Sequence, residues 1–173
     1  NIFRNNEIYG NSTNNGMYAG IVLNGTNSPT NQDHNTTVEG NNISHFYLYG
    51  IYSYYYHNGV DFIGNTIKRG AKPTQTTFYG LYSHYGSNIK INSNYISDDA
   101  PTSSQYTYTA YGVYCYYPTT SNMGYREINN NTIVITNGYY LFGIYATYYV
   151  TSNKIEHNTI YIHPSRNYFY YAY

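Results

Sequence analysis

The chain is 173 residues long with no formal net charge, and only 9% of it is Asp, Glu, Lys or Arg, against 29 Tyr and no Trp. Without a surplus of Lys and Arg it cannot displace counterions from duplex nucleic acid, nor line the basic groove that unpaired bases require. No apolar run approaches the roughly 18 residues of a membrane-spanning helix, and the Tyr, Ile and Val content favours strands over disorder.

Two short phrases alternate along the chain. The first, apolar-x-x-Asn-x-Ile, opens it at Phe3/Asn6/Ile8. The second, typified by "YGIY", is first centred on Gly20. There follow in turn Val38/Asn41/Ile43 and Gly50, Phe62/Asn65/Ile67 and Gly80, Ile91/Asn94/Ile96 and Gly112, Ile128/Asn131/Ile133 and Gly143, then Ile155/Asn158/Ile160 and Ala172. The small residue recurs at intervals of 30, 30, 32, 31 and 29. A period of this length marks a solenoid, in which each unit is too short to bury a face alone and must stack on its neighbours.

Alternation such as Ile89-x-Ile91 and Ile133-x-Ile135 calls for strands, and no segment keeps a helical period. Each Asn falls between two short strands, where a sharp bend is needed. Asn tolerates the left-handed backbone such a bend requires, so the six Asn themselves are expected to take it. Stacked about 4.8 Å apart, Asn6, Asn41, Asn65, Asn94, Asn131 and Asn158 can each donate to one rung and accept from the other.

These phrases resemble the right-handed parallel β-helix repeat of the pectate-lyase-like superfamily, over essentially the whole chain. The resemblance implies three short parallel sheets, an Asn ladder at one turn, and about six coils in a single domain spanning 1–173. It is similar to phrasing in large secreted bacterial surface proteins, which implies an extracellular or cell-surface setting. The superfamily holds lyases, hydrolases, epimerases, phage spikes and adhesins, so it does not fix a function. The stretches 25–37, 70–77, 98–109 and 117–125 are rich in Thr, Ser, Asn and Pro and are expected as loops.

Ile21, Ile51, Leu81, Val113 and Ile144 should point inward, as should Leu23, Ser53, Ser83, Cys115 and Ala146 two residues on. Cys115, the only cysteine, excludes an intrachain disulfide framework, and a buried thiol is inert. Ser83 and His84 cannot act as nucleophile and base, because adjacent strand residues face opposite sides. Asp61, Lys90, Glu127 and Lys154 fall at one offset on four successive units, a charge ladder that specifies register. Glu39 and Glu156 share a column four coils apart, roughly 19 Å, too far for paired glycosidase carboxylates. Asp98 and Asp99 are the weak candidates for a metal, and two carboxylates supply few of the six to eight oxygens calcium takes, so a solvated loop is the expectation there. No catalytic residue and no cofactor are assigned.

Tyr52, Tyr82, Tyr114 and Tyr145 form an outward aromatic strip, with Val22 at its first rung. Tyr49, Tyr79, Tyr111, Phe142 and Tyr171 form another beside it. Two readings stand side by side: ladder stability, or a surface for a sugar chain or a neighbouring fibre. The chain begins without Met and both ends fall inside a phrase, which reads as a piece of a longer solenoid or as copies stacked head to tail. The expectation is a structural, non-enzymatic extracellular solenoid of a filament or appendage. A carbohydrate-active β-helix, a glycan-binding module and a phage tail-spike segment remain the alternatives.

Overall fold

Each of the first five repeats forms one coil of three strands, and the sixth contributes two among the described residues. In the computed structural model, residues 1–11, 17–28, 30, 33–70, 77–98, 109–116, 124–136, 138–146 and 152–163 are described. The first coil holds β1 (Ile2–Arg4), β2 (Glu7–Tyr9) and β3 (Ala19–Asn24); the second holds β4 (Asp33–Glu39), β5 (Asn42–Ser44) and β6 (Tyr49–Tyr54). The third holds β7 (His57–Ile63), β8 (Thr66–Lys68) and β9 (Thr77–His84), and the fourth β10 (Gly86–Asn92), β11 (Tyr95–Asp98) and β12 (Thr109–Tyr116). Next come β13 (Tyr125–Asn129), β14 (Thr132–Ile135) and β15 (Tyr140–Ala146), then β16 (Ser152–Glu156) and β17 (Thr159–Ile162) of the sixth.

Like strands of successive coils pair in parallel to give three sheets. Sheet I runs β1-β4-β7-β10-β13-β16, sheet II β2-β5-β8-β11-β14-β17, and sheet III β3-β6-β9-β12-β15. This is a right-handed parallel β-helix, the hand that parallel crossovers take almost without exception. Register follows the phrases, with Phe62 opposite Ile91, Ile91 opposite Ile128, and Ile67 opposite Ile96. Those side chains are fully buried, as are Val38, Ile43, Ile51, Leu81, Val113 and Ile133.

The two phrases repeat because they pack on each other. A Cβ on Gly50 would overlap the Ile67 Cγ2, and one on Gly80 the Ile96 Cγ2, with the Gly112 carbonyl oxygen 2.6 Å away. Gly20, Gly112 and Gly143 meet Ile43, Ile133 and Ile160 in the same way. Each glycine thus lets the isoleucine of the following coil reach sheet III, and Ala172 lies outside the described residues.

The bend between sheets I and II departs from the sequence expectation. The left-handed residue is not the ladder Asn but the one before it: Asn5, Gly40, Gly64, Ser93, Asn130 and His157, with φ between 54° and 61°. Four of these six are Asn or Gly, the types that take this conformation most readily. The ladder Asn is thereby turned so that its amide lies along the stack. The variable stretches also differ from expectation at their edges. Residues 33–37 form most of β4, while Thr77, Asp98, Thr109 and Tyr125 each belong to a strand. Residues 71–76, 99–108 and 117–123 lie outside the described residues.

Candidate functional site

At the bend between sheets I and II the asparagines form an unbroken chain. Five side-chain bonds run in one direction, Asn6 Nδ2 to Asn41 Oδ1 (2.8 Å), Asn41 to Asn65 (2.9 Å), Asn65 to Asn94 (2.9 Å), Asn94 to Asn131 (3.0 Å) and Asn131 to Asn158 (2.9 Å). Every acceptor oxygen also takes the main-chain N–H of the preceding rung at 3.0 Å. The second amide proton goes backward, from Asn65 to the Val38 carbonyl, Asn94 to Phe62 and Asn131 to Ile91. A middle rung therefore leaves no amide proton unpaired, as burial demands. The direction has a consequence at the ends. Among the described residues, nothing donates to Asn6 Oδ1, and the Asn158 main-chain N–H has no acceptor.

Sheet III carries the aromatic array on its outer face. Rings in the first column are nearly parallel, with centroids 5.1 Å apart for Tyr79–Tyr111 and 4.8 Å for Tyr111–Phe142. The second column repeats this, Tyr82–Tyr114 at 5.0 Å and Tyr114–Tyr145 at 4.9 Å, while Tyr52–Tyr82 is tilted by 58°. Between columns the rings are close to perpendicular in the middle coils, as in Tyr79–Tyr82 at 90° and Tyr111–Tyr114 at 76°, whereas Tyr49 and Tyr52 stack at 15°. This herringbone satisfies the ring quadrupoles in both directions. Tyr79 has a nearly parallel ring on each side, Tyr49 at 21° and Tyr111 at 5°, as do Tyr111 and Tyr114, so the faces of these rings are turned toward one another. Burial pushes the phenols of Tyr49, Tyr82 and Tyr114 above the usual tyrosine range, with the neighbouring tyrosines adding to it. Tyr171 lies outside the described residues.

A third column reads Tyr54, His84, Tyr116, at 5.3 Å and 5.4 Å between centroids. His84 also lies against Tyr85 at 4.1 Å. Burial pulls its pKa down to about 4, so it is neutral at neutral pH. Ser83, next to it, is buried on the opposite face, and the two do not form a dyad.

Asp98 contradicts the expectation of a solvated loop. It is fully buried at the end of β11, where Arg69 holds it by two bonds, Nε–Oδ1 at 3.0 Å and Nη2–Oδ2 at 2.8 Å. Arg69 also donates to the Thr77 carbonyl and lies over the Phe78 ring. Both carboxylate oxygens are committed to the guanidinium, so Asp98 is a structural ion pair rather than a cation ligand. Asp99 lies outside the described residues. No group of three His, Cys, Asp or Glu gathers as metal ligands among the described residues.

Asp61, Lys90, Glu127 and Lys154 do share one register on sheet I. Among the described residues, however, they do not close into ion pairs with one another: Lys154 meets Glu156 at 3.4 Å, and Glu127 accepts from Asn129. Glu39 pairs with Arg4 at 2.8 Å, far along the stack from Glu156. Cys115 is buried in its column of small residues, where burial raises the thiol pKa against the pull of Arg126. Sequence reasoning missed two arginines that are buried among the described residues, Arg69 and Arg126. No family model, curated protein or solved structure matches the chain.

Proposed function

We infer that the chain is a structural β-solenoid whose coils stack end to end, as a segment of a longer rod or as copies laid head to tail, in an extracellular filament or surface appendage. The polarity of the Asn ladder carries this reading. One end offers a donor and the other an acceptor, so the two faces complement each other without any new chemistry. A contact of that kind is heterologous, does not close, and propagates. Core positions support it. Phe3 is 40% exposed, Ile155 46% and Ile160 39%, whereas their equivalents Phe62, Ile91, Ile96 and Ile133 are fully buried. The resemblance to secreted β-helix proteins favours the same setting. The glycan-binding alternative has less support, because ring faces that would stack on a sugar are turned toward each other.

Sedimentation tests the reading. The chain should form rods that lengthen with concentration. Phe3→Lys places an ammonium on the face of the first coil, at a side chain already partly exposed, and should leave single folded chains. The reading fails if the unaltered chain stays single at every concentration, or if Phe3→Lys assembles as well as it does. Pectin and alginate, with or without calcium, should remain uncleaved.

A further inference from the structure

We propose that Tyr56 and Tyr85 form an oxidative cross-linking site, at which one-electron oxidation joins two successive coils through a dityrosine bond. Tyr56 leads into β7 and Tyr85 leads into β10, at the corner between sheets III and I. Their rings are 4.8 Å apart between centroids and inclined by 44°. Among the described residues, it is the closest tilted tyrosine pair joining different coils, against 5.3 Å for Tyr52–Tyr82 and 6.0 Å for Tyr18–Tyr47.

The tilt matters because the new bond joins a ring carbon ortho to each hydroxyl, and inclined rings converge along one side, which brings carbons of the two rings toward each other. In the parallel columns, such as Tyr82–Tyr114 at 10°, faces meet instead. Bond formation there would have to swing a ring out of the herringbone. Tyr54 and Tyr55 are also close and tilted, at 4.0 Å and 51°, but they are adjacent in sequence and their coupling would staple nothing. Tyr56 and Tyr85 are both half-buried, so the corner holds them together instead of letting either meet a ring of another molecule.

The chemistry balances with an external oxidant, a haem peroxidase with hydrogen peroxide. Each phenol loses one electron and its O–H proton, giving two phenoxyl radicals with spin at the ortho carbons. One C–C bond forms between those carbons. Each ring then sheds its ortho hydrogen as a proton while the phenolic oxygen takes one back, restoring both phenols. In sum, two C–H bonds break, two electrons and two protons leave, and peroxide is reduced to two waters. The bond would lock neighbouring coils at a corner where the Asn ladder does not reach, independently of whether chains stack end to end.

The test is peroxidase treatment of the folded chain at high dilution, read by dityrosine fluorescence and by mass spectrometry of the digest. The expected product is a single chain lighter by two hydrogen atoms, containing one linked peptide pair that carries Tyr56 and Tyr85. Tyr56→Phe and Tyr85→Phe, which keep the ring and the packing, should each abolish that pair and most of the single-chain fluorescence. Predominant linkage between chains, linkage of Tyr54 to Tyr55 instead, or an unchanged yield in either variant would overturn the proposal. So would the same pattern from the chain unfolded in denaturant.

Discussion

The Asn ladder and the tyrosine array both repeat once per coil, yet they hold the stack in different ways. The ladder is buried, directional and stoichiometric: each rung has two donors and one acceptor in use, and removing one side chain orphans groups on both neighbouring coils. The array is half-exposed and redundant. Tyr82 touches Tyr49, Tyr52, Tyr79 and Tyr114, so no single contact decides whether it stays in place. A polar ladder therefore specifies register, and an aromatic face adds dispersion on top of a register already set.

The largest effect should come from the buried charged pair Arg69–Asp98. Asp98→Ala leaves the Arg69 guanidinium buried without its carboxylate, and should cost about 3–5 kcal/mol in urea melts. Replacing both, as Arg69→Met with Asp98→Leu, should recover most of that loss. Failure to recover would show that the pair fixes the conformation here as well as its own charge.

Asn94→Ala and Asn131→Ala come next. Each strands buried partners on two rungs, at about 1–3 kcal/mol by denaturant unfolding. Asn6→Ala, at an end with only one neighbouring rung, should cost clearly less. Equal losses at all three positions would contradict a ladder that works by mutual pairing. In the array, Tyr82→Leu should lose about 0.5–1.5 kcal/mol per stacked pair, and Tyr82→Phe, which keeps the ring, should stay within about 0.5 kcal/mol. A large loss from Tyr82→Phe would mean that the hydroxyls, and not the stacked rings, hold the face.

A pH dependence at His84 stands apart from these substitutions. Its folded pKa is about 4, below the 6.5 of an unperturbed imidazole, so between these values the unfolded chain binds more protons. The stability associated with the neutral ring is fully present above about pH 6.5 and declines as pH falls toward 4. His84→Phe should flatten that part of the melting profile. Cation–π attraction from the surrounding tyrosines offsets some of the decline.

The coil architecture was legible because Asn94 and Ile96 keep the same offset as Asn131 and Ile133, and a fixed offset survives only where neighbouring coils make the same contacts. The role of glycine was harder to read. Gly80 marks the period, but its need follows from Ile96 on the next coil, a contact across sheets that spacing alone does not reveal. The left-handed residues carried a signal in their own composition, since Asn5, Gly40, Gly64 and Asn130 each precede a ladder Asn. Arg69 and Asp98 carried one too. Both stand two residues after the inward isoleucines Ile67 and Ile96, so opposite charges occupy one inward column on successive coils. Their position beside the variable stretches made them look like loop residues. The herringbone of the tyrosines was not legible at all, because ring tilt depends on rotamers that no repeat encodes.

Fibre diffraction or helical image analysis of the assembled protein tests the end-to-end stacking most directly. Continuous stacking predicts a strand spacing of about 4.8 Å along the axis and, for six coils per chain, a subunit repeat near 29 Å. A monodisperse chain at high concentration, with its first and sixth coils each covered by its own residues, would contradict it.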